Sequence, residues 1–414
     1  MTTTSREKPV HAPMDQFQSA GRELLIGGVP LERLVDRVGQ TPFYAYDRAL
    51  LTRRVAELRA ALPAGIKLHY AMKANPMPAL VGHMARLVDG IDVASGGELR
   101  VALDSGADPH EISFAGPGKR HAELRQAVAA GILINIESFR EVAELAAIRQ
   151  ATGLPARVAV RVNPDFELKG SGMKMGGGPK QFGVDAEQVP ELLQAISRAG
   201  LAFEGFHLFA GSQNLRSEAI VDAQRKCFEL AVKLAEAAPA PVKFLNLGGG
   251  FGIPYFPGER RIDLTDIATN LANITEEARQ KFPQAEIVIE LGRYLVGEAG
   301  IYVCRVVDKK VSRSHTFLVC DGGLHHHLSA SGNFGQVIRK NYPVAIGDQT
   351  DAPLGEAVSV VGPLCTPLDI LADKMPLPDA MPGNLIVVFQ SGAYGATASP
   401  RGFLSHPDLI EVLV

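Results

Sequence analysis

No stretch of about 20 apolar residues occurs anywhere in this 414-residue chain, so a membrane-spanning helix is not expected. The opening residues, Met1 to Pro9, are polar and lack the apolar core of a secretory signal. Cysteine is scarce: Cys227, Cys304, Cys320 and Cys365 are too few for a disulfide framework and show no paired metal-ligand spacing, which fits a reducing cytoplasm. Excess charge is missing too. A formal net charge of -3 gives no electrostatic footprint for nucleic acid. What is present is an ordinary globular composition, 46% hydrophobic and 21% charged, which argues against extensive disorder. The length exceeds a usual single core, so a large domain with a smaller one is expected.

Along the first three hundred residues, short β-rich runs alternate with helix-patterned segments, the signature of βα units and a parallel sheet. Strands are expected over Ile66–Met72, Ile91–Ala94, Ile112–Phe114, Leu133–Ile136, Val158–Val162, Phe203–Leu208, Phe244–Leu247 and Ile287–Ile289, with helices such as 79–87, 121–130 and 138–150 between them. Eight such units over about 250 residues predict an α/β fold, a closed (β/α)8 TIM barrel over 42–300. After Gly300 the runs Ile301–Val307, Phe317–Cys320 and Leu385–Gln390 follow without helices, which predicts an antiparallel β domain over 301–414. Residues 1–41 form an N-terminal segment whose run from Leu24 to Thr41 either packs beside the barrel or joins the C-terminal sheet. A long Gly- and Lys-rich loop, 163–183, carries Lys169, Lys174, Lys180 and Gly170, Gly172, Gly176, Gly177 and Gly178. It reads equally as an active-site lid and as a surface excursion.

Enzymes on such barrels keep their chemistry at the C-terminal ends of the strands, and those ends are polar or glycine-rich here. The first strand ends in Lys73 and Asn75, flanked by small Ala71 and Ala74 and stopped by Pro76. A lysine on so short a leash suits Schiff-base chemistry with an aldehyde cofactor, although most lysines after strands are merely solvated. Strand two delivers Asp92, Ser95 and Glu98, strand five Arg161 and Asn163, strand six His207 followed by Gly211, Ser212 and Gln213. By itself His207 reads as a core histidine satisfied by its surroundings. The seventh ends in Gly248-Gly249-Gly250, where bare backbone N–H groups can close on a phosphate. The eighth ends in Glu290-Leu291-Gly292-Arg293, whose guanidinium matches phosphate oxygens and whose carboxylate can hold a proton on a ring nitrogen. In the β domain stand Cys365, a proton donor or an apolar filler, and Tyr394 between glycines. The run His325-His326-His327 invites a metal reading, but neighbouring strand residues point to opposite faces, and no metal is expected.

Taken in order, these motifs resemble the fold-type III pyridoxal-phosphate decarboxylases, the diaminopimelate and ornithine decarboxylase family with its alanine-racemase-like barrel. The likeness runs from about Thr41 to Tyr394. It implies that pyridoxal 5'-phosphate is carried by Lys73, that Ser212, Gly249, Gly250, Gly292, Arg293 and Tyr394 take the phosphate, and that Glu290 faces the pyridine nitrogen. Asp92, Glu98 and Arg161 match supporting polar positions around the cofactor, and His207 is counted among the cofactor-binding residues. Cys365 matches the cysteine that reprotonates the α-carbon, contributed from the neighbouring subunit of a homodimer with a shared site. Arg293, Thr366, Asp369 and Tyr394 fall where substrate is bound.

The chain also departs from the family pattern. Phe209 stands where a histidine commonly stacks on the pyridine ring, and an aromatic face can stack there without a histidine's proton chemistry. Thr366 follows Cys365 where diaminopimelate enzymes carry Glu and ornithine enzymes Asp. The Phe-Ala-Gly-Ser-Gln run from Phe209 and the 321–328 segment resemble a subgroup that includes exosortase-associated decarboxylases and a decarboxylase of carrier-protein-bound glutamate, which implies a carrier protein as partner. The expected activity is α-decarboxylation of an amino acid. The alternatives are racemisation on the same barrel and a non-catalytic regulatory homologue.

Overall fold

The structure, a computed structural model, describes residues 9–167, 173–174 and 176–414. The chain divides into two compact units, one comprising 52–252 and 262–295, the other 1–51, 253–261 and 296–414.

In the first unit, strands β1 (Ile66–Ala71), β2 (Gly90–Val93), β3 (Ile112–Phe114), β4 (Leu133–Ile136), β5 (Arg157–Asn163), β6 (Ala202–Leu208), β7 (Phe244–Gly249) and β8 (Glu286–Leu291) are all parallel to their neighbours. Pairing of β8 with β1 and of β4 with β5 closes the sheet into the expected barrel. Such strands are covered on both faces, which is why they read as apolar runs rather than strict alternations. The helices between them start where side chains can cap. Ser95 accepts the N–H of Glu98 while Glu98 accepts the N–H of Ala94, a reciprocal box at the start of the helix Gly96–Asp104. Ser138 accepts the N–H of Glu141 at the start of Phe139–Thr152, and Gly153 ends that helix at φ 71°, a left-handed geometry suited to glycine.

Inside the barrel the side chains form layers. Lys67 joins Glu111 at 2.6 Å and Glu286 at 2.8 Å, while Arg157 joins Glu204 at 2.7 Å, all at the N-terminal floor. Above them Leu133, Ala159, Phe244 and Val288 pack as an apolar layer. The next layer is polar and buried: Asp92, Asn135, Arg161, His207, Asn246 and Glu290.

The second unit holds a mixed sheet. Gly300–Ser312 pairs antiparallel with His315–Cys320 and with Leu385–Val388, and Ala357–Val361 pairs antiparallel with Ile370–Pro376. Among the described residues two pairings in it are parallel, His315–Cys320 with Ala357–Val361 and Ile410–Leu413 with Phe43–Tyr46. Phe43–Tyr46 also pairs antiparallel with Gly300–Ser312. The barrel boundary expected at residue 42 is therefore corrected: the strand Phe43–Tyr46 is buried along its whole length in this sheet, and 253–261 also belong to this unit. Residues Ser19–Ala20, Glu23–Ile26 and Val29–Pro30 form a separate three-stranded sheet in the same unit, joining neither the barrel nor the larger sheet. Among the described residues no helix is long and apolar enough to cross a membrane.

Candidate active site

The lysine turn is built by its neighbours. β1 stops at Ala71, a single 3-10 turn spans Met72–Ala74, and the Tyr70 hydroxyl donates to the Asn75 carbonyl at 2.8 Å. The Asn75 side chain in turn accepts the N–H of Met77 at 3.1 Å, so Pro76 is held and the turn cannot extend. Lys73 Nζ lies 3.6 Å from Glu290 Oε1 and 5.4 Å from the centre of the Phe209 ring, with its side chain 42% exposed. It is the accessible cation above a buried polar layer.

Glu290 ends β8 opposite His69 on β1 and is 6% exposed. Burial pushes its carboxyl pKa up, Lys73, then His207 and Arg161, pull it down, and attraction wins: the group is held well below the ordinary carboxylate range. His207 brings Nε2 to 3.1 Å from Glu290 Oε2 but off hydrogen-bond alignment, and both its ring nitrogens are buried without a hydrogen-bond partner among the described residues.

Two glycine turns face this layer. Gly248 and Gly250 sit at φ 68° and 75°, and a side chain on Gly249 would place its Cβ 2.3 Å from the Glu290 carbonyl oxygen. A Cβ on Gly292 would meet Ala74 at 2.9 Å, so the β8 turn packs directly on the lysine turn. Asn214 donates its N–H to the Gly250 carbonyl at 3.0 Å and accepts that of Gly252 at 2.8 Å, lacing the Ser212 loop to the glycine run. Beside it the Ser212 hydroxyl is buried with no partner among the described residues. A buried unpaired hydroxyl next to a bare-backbone turn is costly unless an acceptor arrives, and an anion of phosphate size and charge supplies one. These residues fit pyridoxal phosphate.

The other expected residues are placed as follows. Arg161 donates to Glu137 Oε1 at 2.9 Å and lies over the Phe182 ring at 5.1 Å. Asp92 accepts from the Ser113 hydroxyl and lies 3.2 Å from His69 Nδ1. Glu98 caps its helix, and its carboxyl pKa is raised by burial against the opposing pull of the Ala94 N–H and Lys73. Arg293 opens a single helical turn directly after Gly292. In the 163–183 loop, Lys169, Gly170 and Gly172 lie outside the described residues. Backbone at Met173–Lys174 pairs antiparallel with Gly211–Ser212, and Gly177 donates to the Pro164 carbonyl at 3.1 Å.

In the second unit, Cys365 is exposed and Thr366 uses its hydroxyl to accept the Leu368 N–H at 3.4 Å. Tyr394, half-buried at φ 53°, has its carbonyl held by the Ser329 hydroxyl at 2.8 Å. Asp369 differs from expectation as a substrate-binding group. It is 3% exposed, and its two oxygens accept the N–H groups of Leu324 at 2.6 Å and Leu364 at 2.8 Å, so it organises the loop that presents Cys365. The three histidines are buried rather than displayed. His326 and His327 pair through Nε2 with the Pro407 carbonyl and the Ser391 hydroxyl, and burial pushes their pKa values down to about 4 and about 3.

Sequence reasoning missed the scaffold behind Arg161. Glu137 accepts the N–H of Gly116 and of Gly183 besides Arg161, and its own N–H is accepted by Glu141. Glu141, fully buried, forms a 3.0 Å ion pair with Lys119. Only the Ser138-x-x-Glu141 capping pattern marks any of this in the sequence.

Known proteins with the same construction supply the comparison. Residues 48–297 match the model of the pyridoxal-dependent decarboxylase pyridoxal-binding domain. An L-glutamyl-(BtrI acyl-carrier protein) decarboxylase of Niallia circulans is 37% identical over 380 residues, 90% of this chain and 89% of that protein. The diaminopimelate decarboxylase of Aquifex aeolicus is 33% identical over 395 residues, 95% of this chain and 90% of that protein. The crystal structure of Helicobacter pylori diaminopimelate decarboxylase complexed with L-lysine superposes with a TM-score of 0.81 at 28% identity, covering 92% of this chain and 94% of that one. With the family model matched over residues 48–297 and relatives at 33–37% identity covering at least 90% of the chain, the chain belongs to the pyridoxal-dependent decarboxylase family and is a pyridoxal 5'-phosphate-dependent amino-acid decarboxylase.

Proposed function

We propose that the substrate is a glutamyl-type amino acid delivered on a carrier protein, decarboxylated at its α-carbon. The observation that carries this reading is Thr366, a neutral residue whose hydroxyl is engaged by the Leu368 N–H. An acidic residue after the cysteine reads a distal ammonium in the diaminopimelate and ornithine enzymes, and here no such charge stands. The name of the Niallia circulans relative supports the same substrate class.

The chemistry that bound pyridoxal phosphate would supply here is an electron sink for the pair released as the carboxylate leaves as carbon dioxide. The chain's own groups set the conditions. Lys73 Nζ, on its pinned turn, is the amine that would hold the cofactor aldehyde. Ser212, Gly249, Gly250, Gly292 and Arg293 would hold the phosphate, and the low pKa of Glu290 keeps a negative charge that would favour a proton on a nitrogen facing it. Phe209 offers a flat apolar face. Cys365, exposed on the loop that Asp369 fixes, delivers a proton to the α-carbon, acting from a second copy of the chain in a homodimer with a shared site. The test is carbon dioxide release from diaminopimelate, ornithine, lysine, arginine and carrier-bound glutamate. Release from the tethered substrate alone is expected, and efficient turnover of free diaminopimelate overturns the assignment.

A further inference from the structure

Decarboxylation takes up one proton per turnover. The bond between the α-carbon and its carboxylate breaks, carbon dioxide leaves, the electron pair left behind forms the new C–H bond with the proton given by Cys365, and that proton is replaced from solvent. No oxidant or reductant is involved. A site covered by cofactor and substrate therefore has to be resupplied with protons.

The barrel floor contains a cavity of about 450 Å³ bordered by Glu111, Lys243 and Glu286, with Leu133 and Phe244 of the apolar layer lining it too. Two polar side chains, His69 and Ser113, both line this cavity and reach Asp92 in the polar layer above. His69 is 2% exposed and lies 6.1 Å from the Phe244 ring. Its Nδ1 is 3.2 Å from Asp92 Oδ1, while Nε2 has no hydrogen-bond partner among the described residues and lies 4.0 Å from Glu111 Oε2. Asp92 Oδ2 is likewise buried without a partner among the described residues. A buried imidazole with one nitrogen on a carboxylate and the other buried without a partner among the described residues, on a residue that lines a polar cavity, is arranged to take a proton on one side and release it on the other.

We propose that His69 is a proton relay through the barrel floor, taking protons at Nε2 from water in the cavity and passing them from Nδ1 to Asp92 beneath the active site. This rests on the decarboxylase reading, because only a proton-consuming reaction needs the supply. The charged groups acting on the imidazole are Asp92 on β2, Glu111 before β3 and Glu290 on β8, and Arg157, Glu204, Lys243 and Glu286 line the same cavity. Burial pushes the imidazole pKa down, while Asp92, Glu111 and Glu290 push it up by more, so it is raised above its ordinary value.

Two measurements test the relay. In the holoenzyme, His69→Gln keeps a hydrogen-bonding side chain but cannot carry a proton through; kcat is expected to fall at least about 10-fold, with KM and cofactor content unchanged. Added imidazole, small enough for the cavity, is expected to restore a folded, cofactor-loaded His69→Ala variant with a pH profile set by the added base. Independently of any turnover, the ring nitrogens of His69 in labelled wild-type protein are expected to titrate, and Asp92→Asn to lower the midpoint. The proposal is overturned by wild-type kcat in His69→Gln, by failure of imidazole to rescue loaded His69→Ala, or by a His69 signal unchanged between about pH 5 and about pH 9. Carbon dioxide release by wild-type enzyme tests the decarboxylase reading separately, since the titration does not depend on it.

Discussion

Lys73 Nζ stands 3.6 Å from the buried carboxylate of Glu290, joining the end of β1 to the end of β8 across the strand pair that closes the barrel. One residue is reachable and cationic, the other enclosed and anionic, and the chemistry depends on that difference in exposure.

Removing the lysine should therefore separate covalent retention from binding. In Lys73→Ala the phosphate cradle remains, so the cofactor is expected to bind reversibly and be lost on dialysis. Borohydride reduction followed by mass spectrometry should leave no cofactor attached to residue 73. Full amine production by this variant would contradict the assigned role.

Glu290→Gln keeps size and removes charge, and the expected loss in kcat is about 100-fold to 1,000-fold, as for other preorganised electrostatic groups. Stability should respond to pH in a defined sense. The folded Glu290 pKa is depressed, so its contribution is fully present above the unfolded value of about 4.3 and is lost as pH falls through the folded value. Denaturation of apo wild type and apo Glu290→Gln should converge on acidification, and a gap that widens would reverse the sign.

The glycine cradle predicts a steric result. Gly249→Ala sets a Cβ 2.3 Å from the Glu290 carbonyl oxygen, so the turn must shift, and cofactor affinity should weaken about 10-fold or more. Ser212→Ala should weaken it without loss of melting temperature in the apo protein, because its hydroxyl has no partner among the described residues. Equilibrium titration with pyridoxal phosphate separates the two.

Much of the architecture was legible because barrel strands are continuous buried runs bounded by glycine and proline. β3 and β4 have the expected ends, while β5 and β8 extend one or two residues beyond their apolar stretches. Phe43–Tyr46 was not legible as part of the second sheet, since its partners lie more than 250 residues away in Gly300–Ser312 and Ile410–Leu413, and no local pattern encodes such a pairing. The same limit applied to the site. Lys73, Glu290 and the glycine runs sit at strand ends where the fold rule points, whereas Asp369 looked like a ligand because a sequence does not display which carboxylates are consumed by backbone N–H groups.

Behind Arg161, the Lys119–Glu141 pair is buried on both sides, so losing one partner leaves an uncompensated charge. Lys119→Met should cost about 3–5 kcal/mol, and adding Glu141→Leu should recover a large part of it. Chemical denaturation of the single and double variants gives the coupling directly.

The shared-site proposal predicts complementation. Mixed Lys73→Ala and Cys365→Ala subunits should regain about a quarter of wild-type activity, because half the random dimers are hybrids with one intact site. No recovery on mixing, with exchange of subunits demonstrated, would place both residues in one copy.

The central claim, decarboxylation with protonation at the same carbon, is tested most directly by running the holoenzyme in deuterium oxide and analysing gas and amine together. One carbon dioxide per amine, with a single deuteron on the former α-carbon, is the predicted result. Recovery of α-deuterated or racemised amino acid without carbon dioxide would contradict it.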